Sequence, residues 1–149
     1  MMQSLAIQPD DTVLEIGTGS GFVTACLAKL AQQVTSLEIH PDLSQTAAER
    51  VAALEISNAV LREDDAFDVE FGDRRFDVIA LTGSLPVYTD RFETLLAPGG
   101  RLFAITGTRP AMEANLITRV GGDKFRREAM FETVVEPLIG TPQPEAFVF

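Results

Sequence analysis

Three glycines follow an apolar, strand-like run near the start of the chain, in the stretch Val13-Leu14-Glu15-Ile16-Gly17-Thr18-Gly19-Ser20-Gly21. A helical pattern begins immediately afterwards, because Phe22, Cys26 and Leu30 recur every four residues beside Val23 and Leu27. A glycine-rich turn between a strand and a helix lets the backbone approach a ligand closely, with the first N–H groups of the helix facing it. The stretch predicts a binding loop for a nucleotide-like ligand; a tight turn without a ligand is the alternative.

The alternation of strand and helix continues along the chain. Short β-type runs start 18 to 26 residues apart, at 13–16, 34–38, 60–62, 78–81 and 102–105. Between the second and third runs lies a second helical stripe, formed by Leu43, Ala47, Val51 and Leu54. The run 78–81 is apolar at successive positions, which is typical of parallel strands covered by helices on both faces. We therefore predict an α/β fold with a doubly wound, mostly parallel sheet.

The pattern changes after Gly107. Two strand-like segments, 112–120 and 125–135, are joined by the turn residues Gly121-Gly122-Asp123. They predict an antiparallel hairpin at one edge of the sheet. No repeat, low-complexity run or flexible linker marks a domain boundary, and 141–144 is predicted to be an extended tail. We expect a single domain over residues 1–149.

The composition excludes several classes of protein. Apolar residues make up 46% and charged residues 23% of the 149 positions, the balance of a globular domain. A formal charge of -10 opposes binding to a phosphate backbone, so nucleic acid is not an expected partner. The single cysteine, Cys26, excludes a disulfide scaffold and a cysteine-rich metal site. No apolar run approaches the roughly 18 residues of a membrane span. We expect a cytoplasmic protein with no metal ion and no membrane partner, and the oligomeric state is left open.

An acidic residue at the end of the second run narrows the class of ligand. Glu38 lies 21 residues beyond Gly17, where a carboxylate accepts hydrogen bonds from both hydroxyl groups of a ribose. A dinucleotide site would place its third glycine at the position of Phe22. Glu15 opposes a pyrophosphate but is able to hold an ammonium group directly or through water. A cationic nucleoside that carries an amino acid fits these charges better than a dinucleotide.

These residues carry a resemblance to a known family. The run 15–21 resembles the first motif of class I S-adenosylmethionine-dependent methyltransferases, which have a Rossmann-like fold. More narrowly, four segments resemble protein-L-isoaspartate O-methyltransferases in order and spacing, namely 13–30, 76–86, 95–107 and 131–140. The chain has Thr82-Gly83-Ser84-Leu85-Pro86 where the family has Thr-Ala-Ala before a proline, and Phe22 where the family commonly has tyrosine.

The resemblance implies a role for each residue of the predicted site. The loop 17–21 lines the methionine part of S-adenosylmethionine, Glu38 binds the ribose, and Ile39 packs on the adenine. Asp65, followed by Ala66, corresponds to the acid of the family's Gly-Asp-Gly pattern, which reads the adenine edge. The implied cofactor-binding residues are Glu15, Gly17, Thr18, Gly19, Ser20, Gly21, Glu38, Ile39, Asp65, Ala66 and Thr82.

No catalytic base is assigned. Methyl transfer to a carboxylate needs no strong base, because the nucleophile is already ionised at pH 7 and positioning dominates the catalysis. His40, the only histidine, precedes Pro41 and is assigned to the helix entry or to the flank of the adenine. Thr82 and Ser84 either contact the substrate or satisfy loop backbone.

The resemblance implies an O-methyltransferase that acts on isoaspartate in damaged proteins or peptides, and hence a role in protein repair. The alternatives are an enzyme with a small carboxylate acceptor, a noncatalytic cofactor-binding or interaction domain, and a nicotinamide-dependent oxidoreductase. The family carries a substrate-binding segment before its first strand, whereas this chain starts twelve residues before Val13. We therefore expect a domain truncated at its N-terminus, which binds S-adenosylmethionine but methylates isoaspartyl peptides weakly or not at all.

Overall fold

Seven strands form one mixed sheet in the computed structural model, which describes residues 1–144. In chain order the strands are β1 (Thr12–Ile16), β2 (Gln33–Glu38), β3 (Ala59–Glu63), β4 (Phe76–Leu85), β5 (Leu96–Thr108), β6 (Ala111–Gly121) and β7 (Lys124–Thr133). The helices are α1 (Met2–Leu5), α2 (Phe22–Leu30) and α3 (Pro41–Ala53), with a 3₁₀ turn at Glu93–Leu95. The five predicted strands, the two predicted helices and the C-terminal hairpin are all present. The predicted domain end at residue 149 lies outside the described residues.

The doubly wound, mostly parallel topology is confirmed. The spatial order is β3-β2-β1-β4-β5-β6-β7, in which β1 to β5 are parallel and β6 and β7 each run antiparallel to the preceding strand. From β1, the strands β2 and β3 are added toward one edge of the sheet, and β4 and β5 are added toward the other. The strand order therefore reverses between β1 and β4, although the two strands are parallel. Ligands of open α/β sheets bind outside the carboxyl ends of the strands at such a reversal. The loop 17–21 follows β1 and therefore lies at this point.

One face of the sheet is covered by α-helices. Leu5 of α1 and Leu27 of α2 share a buried cluster with Val13, Val78 and Phe103. The third helix contacts α2 and thus belongs to the same layer. On the other face, the segments 64–75 and 86–95 contain a 3₁₀ turn and no α-helix. The prediction that helices cover both faces is therefore wrong for this second face.

Aromatic side chains take the place of a helical layer on the second face. Phe71 packs edge-on against Phe76 with ring centroids 5.7 Å apart, and Phe67 packs against Phe92 in the same way at 5.5 Å. These rings share a cluster with Leu14 of β1. Because each aromatic side chain buries a large area, about 150–250 Å², a few of them cover the strands without a regular helix.

The buried side of α2 contains only part of the predicted stripe. Phe22 and Leu30 are exposed at 69% and 44%, whereas Thr24 and Leu27 are fully buried. The hydroxyl of Thr24 donates a hydrogen bond to the buried carboxylate of Glu15 at 2.5 Å. This polar contact and the packing of Leu27 determine which side of the helix faces the sheet. A pattern of apolar residues alone does not predict the contact between Thr24 and Glu15.

The stripe predicted for α3 is buried in the middle of the helix and exposed at its ends. Ala47 and Val51 are buried, whereas Leu43 and Leu54 are exposed at 39% and 57%. Within residues 1–144, no helix has the length and apolar character that spanning a membrane requires.

After β7 the chain turns back to the centre of the sheet. We call residues 134–139 the return segment. The Ser84 N–H donates to the Glu136 carbonyl at 2.9 Å, and the Leu138 N–H donates to the Ser84 carbonyl at 3.0 Å. Pro137 thereby forms an isolated parallel bridge with Ser84. Strand β7 ends at Thr133 rather than at the predicted 135, and the return segment reaches the carboxyl end of β4.

Candidate functional site

The glycine loop, residues 17–21, is held at the end of β2. The N–H groups of Gly17 and Thr18 both donate to the Leu37 carbonyl, at 2.8 and 3.2 Å. Gly17 has a φ of +93° and Gly19 a φ of +53°, conformations that strain any residue with a Cβ. The glycines therefore allow a sharp turn from β1 into α2 that keeps loop N–H groups at the carboxyl ends of β1 and β2.

Glu38 ends β2 at the wall of a cavity. Its Oε2 accepts a hydrogen bond from the Gly19 N–H at 2.8 Å, and its Oε1 accepts one from the His40 N–H at 3.1 Å. Each carboxylate oxygen keeps acceptor capacity for a further donor. Two backbone donors thus fix this largely buried carboxylate in a position where it can accept hydrogen bonds from hydroxyl groups of a ligand.

The cavity lies where the strand order reverses. Its wall is formed by the ends of β1 and β2, the turn after β3 and the return segment. The predicted site residues that line it are Gly17, Glu38, Ile39, Asp65 and Ala66. His40, assigned from the sequence to the helix entry or the adenine flank, also lines the wall and is the N-terminal cap position of α3.

The turn after β3 is a rigid part of this wall. The Oδ1 of Asp65 accepts a hydrogen bond from the Phe67 N–H at 2.8 Å. Asp64 forms an ion pair with Arg62 at 2.6 Å, and its N–H donates to the Glu38 carbonyl at 3.1 Å. The bond from the Asp64 N–H ties the turn to the end of β2, next to Asp65.

Glu15 and Thr18 are buried and do not line the cavity. Glu15 is fully buried, and its Oε2 accepts hydrogen bonds from Thr24 at 2.5 Å and from Ser36 at 2.6 Å. The hydroxyls of Thr18 and Ser36 are 2.6 Å apart. Burial raises the pKa of the Glu15 carboxyl to about 7, against the lowering effect of the bonds from Ser36 and Thr24, and the charge of Glu38 raises it further. The structure does not bring Glu15 to the surface of the cavity.

Ser20 and Gly21 face α3 and also do not line the cavity. The Ser20 carbonyl accepts a hydrogen bond from the Arg50 guanidinium at 3.1 Å. A Cβ at Gly21, which has a φ of +80°, would lie 3.1 Å from the Cβ of Ala47. These two residues have packing roles in this structure.

Thr82 supports the loop from β4. Its hydroxyl is 2.9 Å from the Ile16 carbonyl and 2.5 Å from the Gly17 carbonyl. Ser84 donates its hydroxyl to the Val135 carbonyl at 3.0 Å. Of the two roles open to these side chains from the sequence, satisfying backbone groups is the one that their hydrogen bonds display.

The return segment supplies cavity residues that sequence reasoning missed. Pro137, Leu138 and Ile139 line the wall. A Cβ at Gly83 would lie 2.7 Å from the Leu138 side chain, so the absence of a side chain there allows the close approach. The available sequence signal was the resemblance of the segment 131–140 to the family. Its contact with β4 could not be inferred from this signal, because it depends on pairing between residues more than fifty positions apart.

Comparison with known proteins identifies the family. Residues 1–141 match the model of Protein-L-isoaspartate(D-aspartate) O-methyltransferase. The chain belongs to this protein-L-isoaspartate O-methyltransferase family. Its glycine loop, Glu38 and return segment all lie within the matched residues.

Two curated family members illustrate the degree of similarity. Protein-L-isoaspartate O-methyltransferase 1 of Syntrophobacter fumaroxidans is 36% identical over 134 residues, which are 84% of this chain and 63% of the relative. The family member of Pseudomonas aeruginosa strain PAO1 is 36% identical over 138 residues, 93% of this chain and 65% of the relative. The chain therefore spans slightly less than two thirds of the length of these relatives.

Solved structures share the fold. A Plasmodium falciparum protein described as a protein-L-isoaspartate O-methyltransferase, crystallised with S-adenosyl-L-homocysteine, superimposes with a TM-score of 0.78 at 22% identity, over 92% of this chain and 68% of that one. A second structure named as this enzyme gives a TM-score of 0.84 at 22% identity, over 95% and 46% of the two chains. The Rossmann-like methyltransferase fold predicted from the sequence is confirmed.

Proposed function

We propose that this chain forms the S-adenosylmethionine site of an O-methyltransferase whose acceptor is the isoaspartyl carboxylate of proteins or peptides. The observation that carries the proposal is the Glu38 carboxylate, held at the cavity wall by the N–H groups of Gly19 and His40. Membership of the family supplies the reaction and the acceptor. A cytoplasmic location, one domain and a role in protein repair belong to the same proposal.

The chemistry of the wall fits an adenosyl ligand. Glu38 offers acceptor capacity for ribose hydroxyls, and Ile39, Ala66 and Phe67 offer apolar surface for a purine ring. Asp65 stands beside that surface and accepts hydrogen bonds. A dinucleotide fits less well, because Phe22 stands where a dinucleotide loop places its third glycine. These features support the nucleoside part of the proposed cofactor.

Bound S-adenosylmethionine supplies an electrophilic methyl group, and the remaining task of the chain is positioning. An isoaspartyl carboxylate is ionised at pH 7, so no side chain needs to remove a proton from it. Alignment of two reactants contributes about 7–11 kcal/mol to lowering a barrier. In this chain the alignment depends on the glycine loop, which Thr82 and Leu37 hold through its backbone.

Calorimetric titration with S-adenosylhomocysteine tests the cofactor site. Glu38→Gln keeps the size of the side chain but removes its charge, and we expect affinity to fall about 10- to 100-fold, as for loss of hydrogen bonds to a charged group. Glu63→Gln is the matched control, since Glu63 ends β3 in register with Glu38 but is exposed; its affinity should equal that of the wild type. Equal affinities for all three proteins would place the ribose elsewhere.

A second pair of measurements separates the alternatives. S-adenosylhomocysteine should raise the thermal midpoint and NAD should not, whereas the reverse result would favour an oxidoreductase. With S-adenosylmethionine present, we expect weak methyl transfer to an isoaspartyl peptide and none to its aspartyl isomer. Cofactor binding without transfer to either peptide would favour a noncatalytic domain, and transfer only to small carboxylates would replace the proposed acceptor.

A further inference from the structure

A buried carboxylate connects the elements on both sides of the glycine loop. Glu15 lies on β1 between Ser36 of β2 and Ala80 of β4 in the sheet register. Its Oε2 accepts from Ser36 and from Thr24, which belongs to the first turn of α2. The Glu15 carboxylate therefore contacts β2, the strand whose end holds the glycine loop, and α2, the helix that follows the loop.

The hydrogen bonds around Glu15 have one consistent direction. Ser36 uses its single hydroxyl hydrogen for Glu15, so the short contact between Thr18 and Ser36 requires Thr18 to donate. Thr18 belongs to the glycine loop. A relay from Thr18 through Ser36 thus ends on Glu15, and the state of this carboxyl acts on the loop through two hydroxyl groups.

One oxygen of Glu15 is left without a partner. Its Oε1 is buried and accepts no hydrogen bond from any group in the described part of the chain. A buried, unpaired charge is costly, and a proton or a nearby positive charge relieves that cost. The charged group that acts on Glu15 is Glu38 on β2, whose negative charge raises the pKa of Glu15. The neighbouring residues on the other elements are uncharged, namely Thr24 on α2 and Ala80 on β4.

We propose that Glu15 is a positioning residue for the glycine loop and that it releases its proton to solvent when a cationic adenosyl ligand binds. The inference rests on the proposed function, because the sulfonium group of S-adenosylmethionine is the positive charge involved. Cation binding at the loop stabilises the Glu15 carboxylate and offsets the repulsion from Glu38. By linkage, ionisation of Glu15 strengthens binding of the cation by the same factor. Burial keeps the ligand-free carboxyl near half-ionised at neutral pH, with a pKa of about 7.

Calorimetry in buffers of different ionisation enthalpy measures this proton directly. For the wild type with S-adenosylmethionine, we expect release of about half a proton per ligand at pH 7 and nearly one at pH 6. Affinity should rise about ten-fold between pH 6 and pH 8. S-adenosylhomocysteine, which lacks the sulfonium charge, should release less.

Glu15→Gln keeps an acceptor for Ser36 and Thr24 and should lose this proton release and the pH dependence, while Glu63→Gln should retain both. Titration of the ligand itself is common to all variants and cancels in their comparison. If Glu15→Gln does not fold, the carbon-13 shift of the Glu15 carboxyl in the wild type, followed against pH with and without ligand, gives the same answer. Binding with equal proton release in wild type and variant, or an unshifted Glu15 titration, would overturn this inference alone. Absence of any binding would instead overturn the proposed function.

Discussion

Glu15 makes a contribution to folding stability that depends on pH. Its carboxyl titrates near pH 7 in the folded chain instead of at the ordinary 4.5, because it is buried. The folded state therefore holds the proton more tightly than the unfolded state. The contribution of Glu15 to the free energy of unfolding should be highest below pH 4.5 and fall by about 3 kcal/mol as the pH rises to 7 and beyond.

Urea unfolding of the wild type and Glu15→Gln at pH 5, 6, 7 and 8 measures this contribution. The difference between the two stabilities should shift in favour of the variant as the pH rises. Glu63→Gln, which removes an exposed carboxylate, should give a constant difference. A constant difference for Glu15→Gln as well would show that the buried carboxyl titrates normally.

Gly21 brings the glycine loop close to α3. Gly21→Ala combines a φ of +80° with a Cβ 3.1 Å from Ala47, so we expect a loss of about 2–4 kcal/mol in unfolding free energy. Gly72→Ala is the control, because Gly72 has a φ of +56° but open space around its Cβ position. That variant should lose only the backbone part, about 1–2 kcal/mol. Equal losses, measured by urea unfolding, would mean that the loop and α3 do not restrain each other.

Elements defined by local patterns could be predicted from the sequence. The strand cores, α2, α3 and the hairpin follow from apolar spacing and turn residues, and Glu38 follows from its distance to the glycine loop. Features that depend on tertiary partners could not. The face of α2 is set by a bond between Thr24 and Glu15, the second sheet face is covered by irregular aromatic segments, and the wall at Leu138 needs pairing with β4.

Across the whole molecule, negative charge exceeds positive charge by ten. Such an imbalance opposes compact folding through self-repulsion, and salt screens that repulsion between exposed charges more than about 10 Å apart at 0.1 M. Raising sodium chloride from 10 to 300 mM should therefore increase the unfolding free energy at pH 8 by about 1 kcal/mol. Urea titrations at the two concentrations test this, and a decrease would mean that the loss of exposed ion pairs such as Arg109 with Glu136 outweighs the relief of repulsion.

The return segment makes the cavity depend on both ends of the chain. Gly17 is synthesised early, whereas Leu138 follows it by more than a hundred positions and comes after the paired strands β6 and β7 in the chain. A nascent polypeptide still attached to the ribosome at β5 would display the glycine loop without its opposite wall. A ligand that needs both walls of the cavity would therefore bind only after the hairpin has been synthesised.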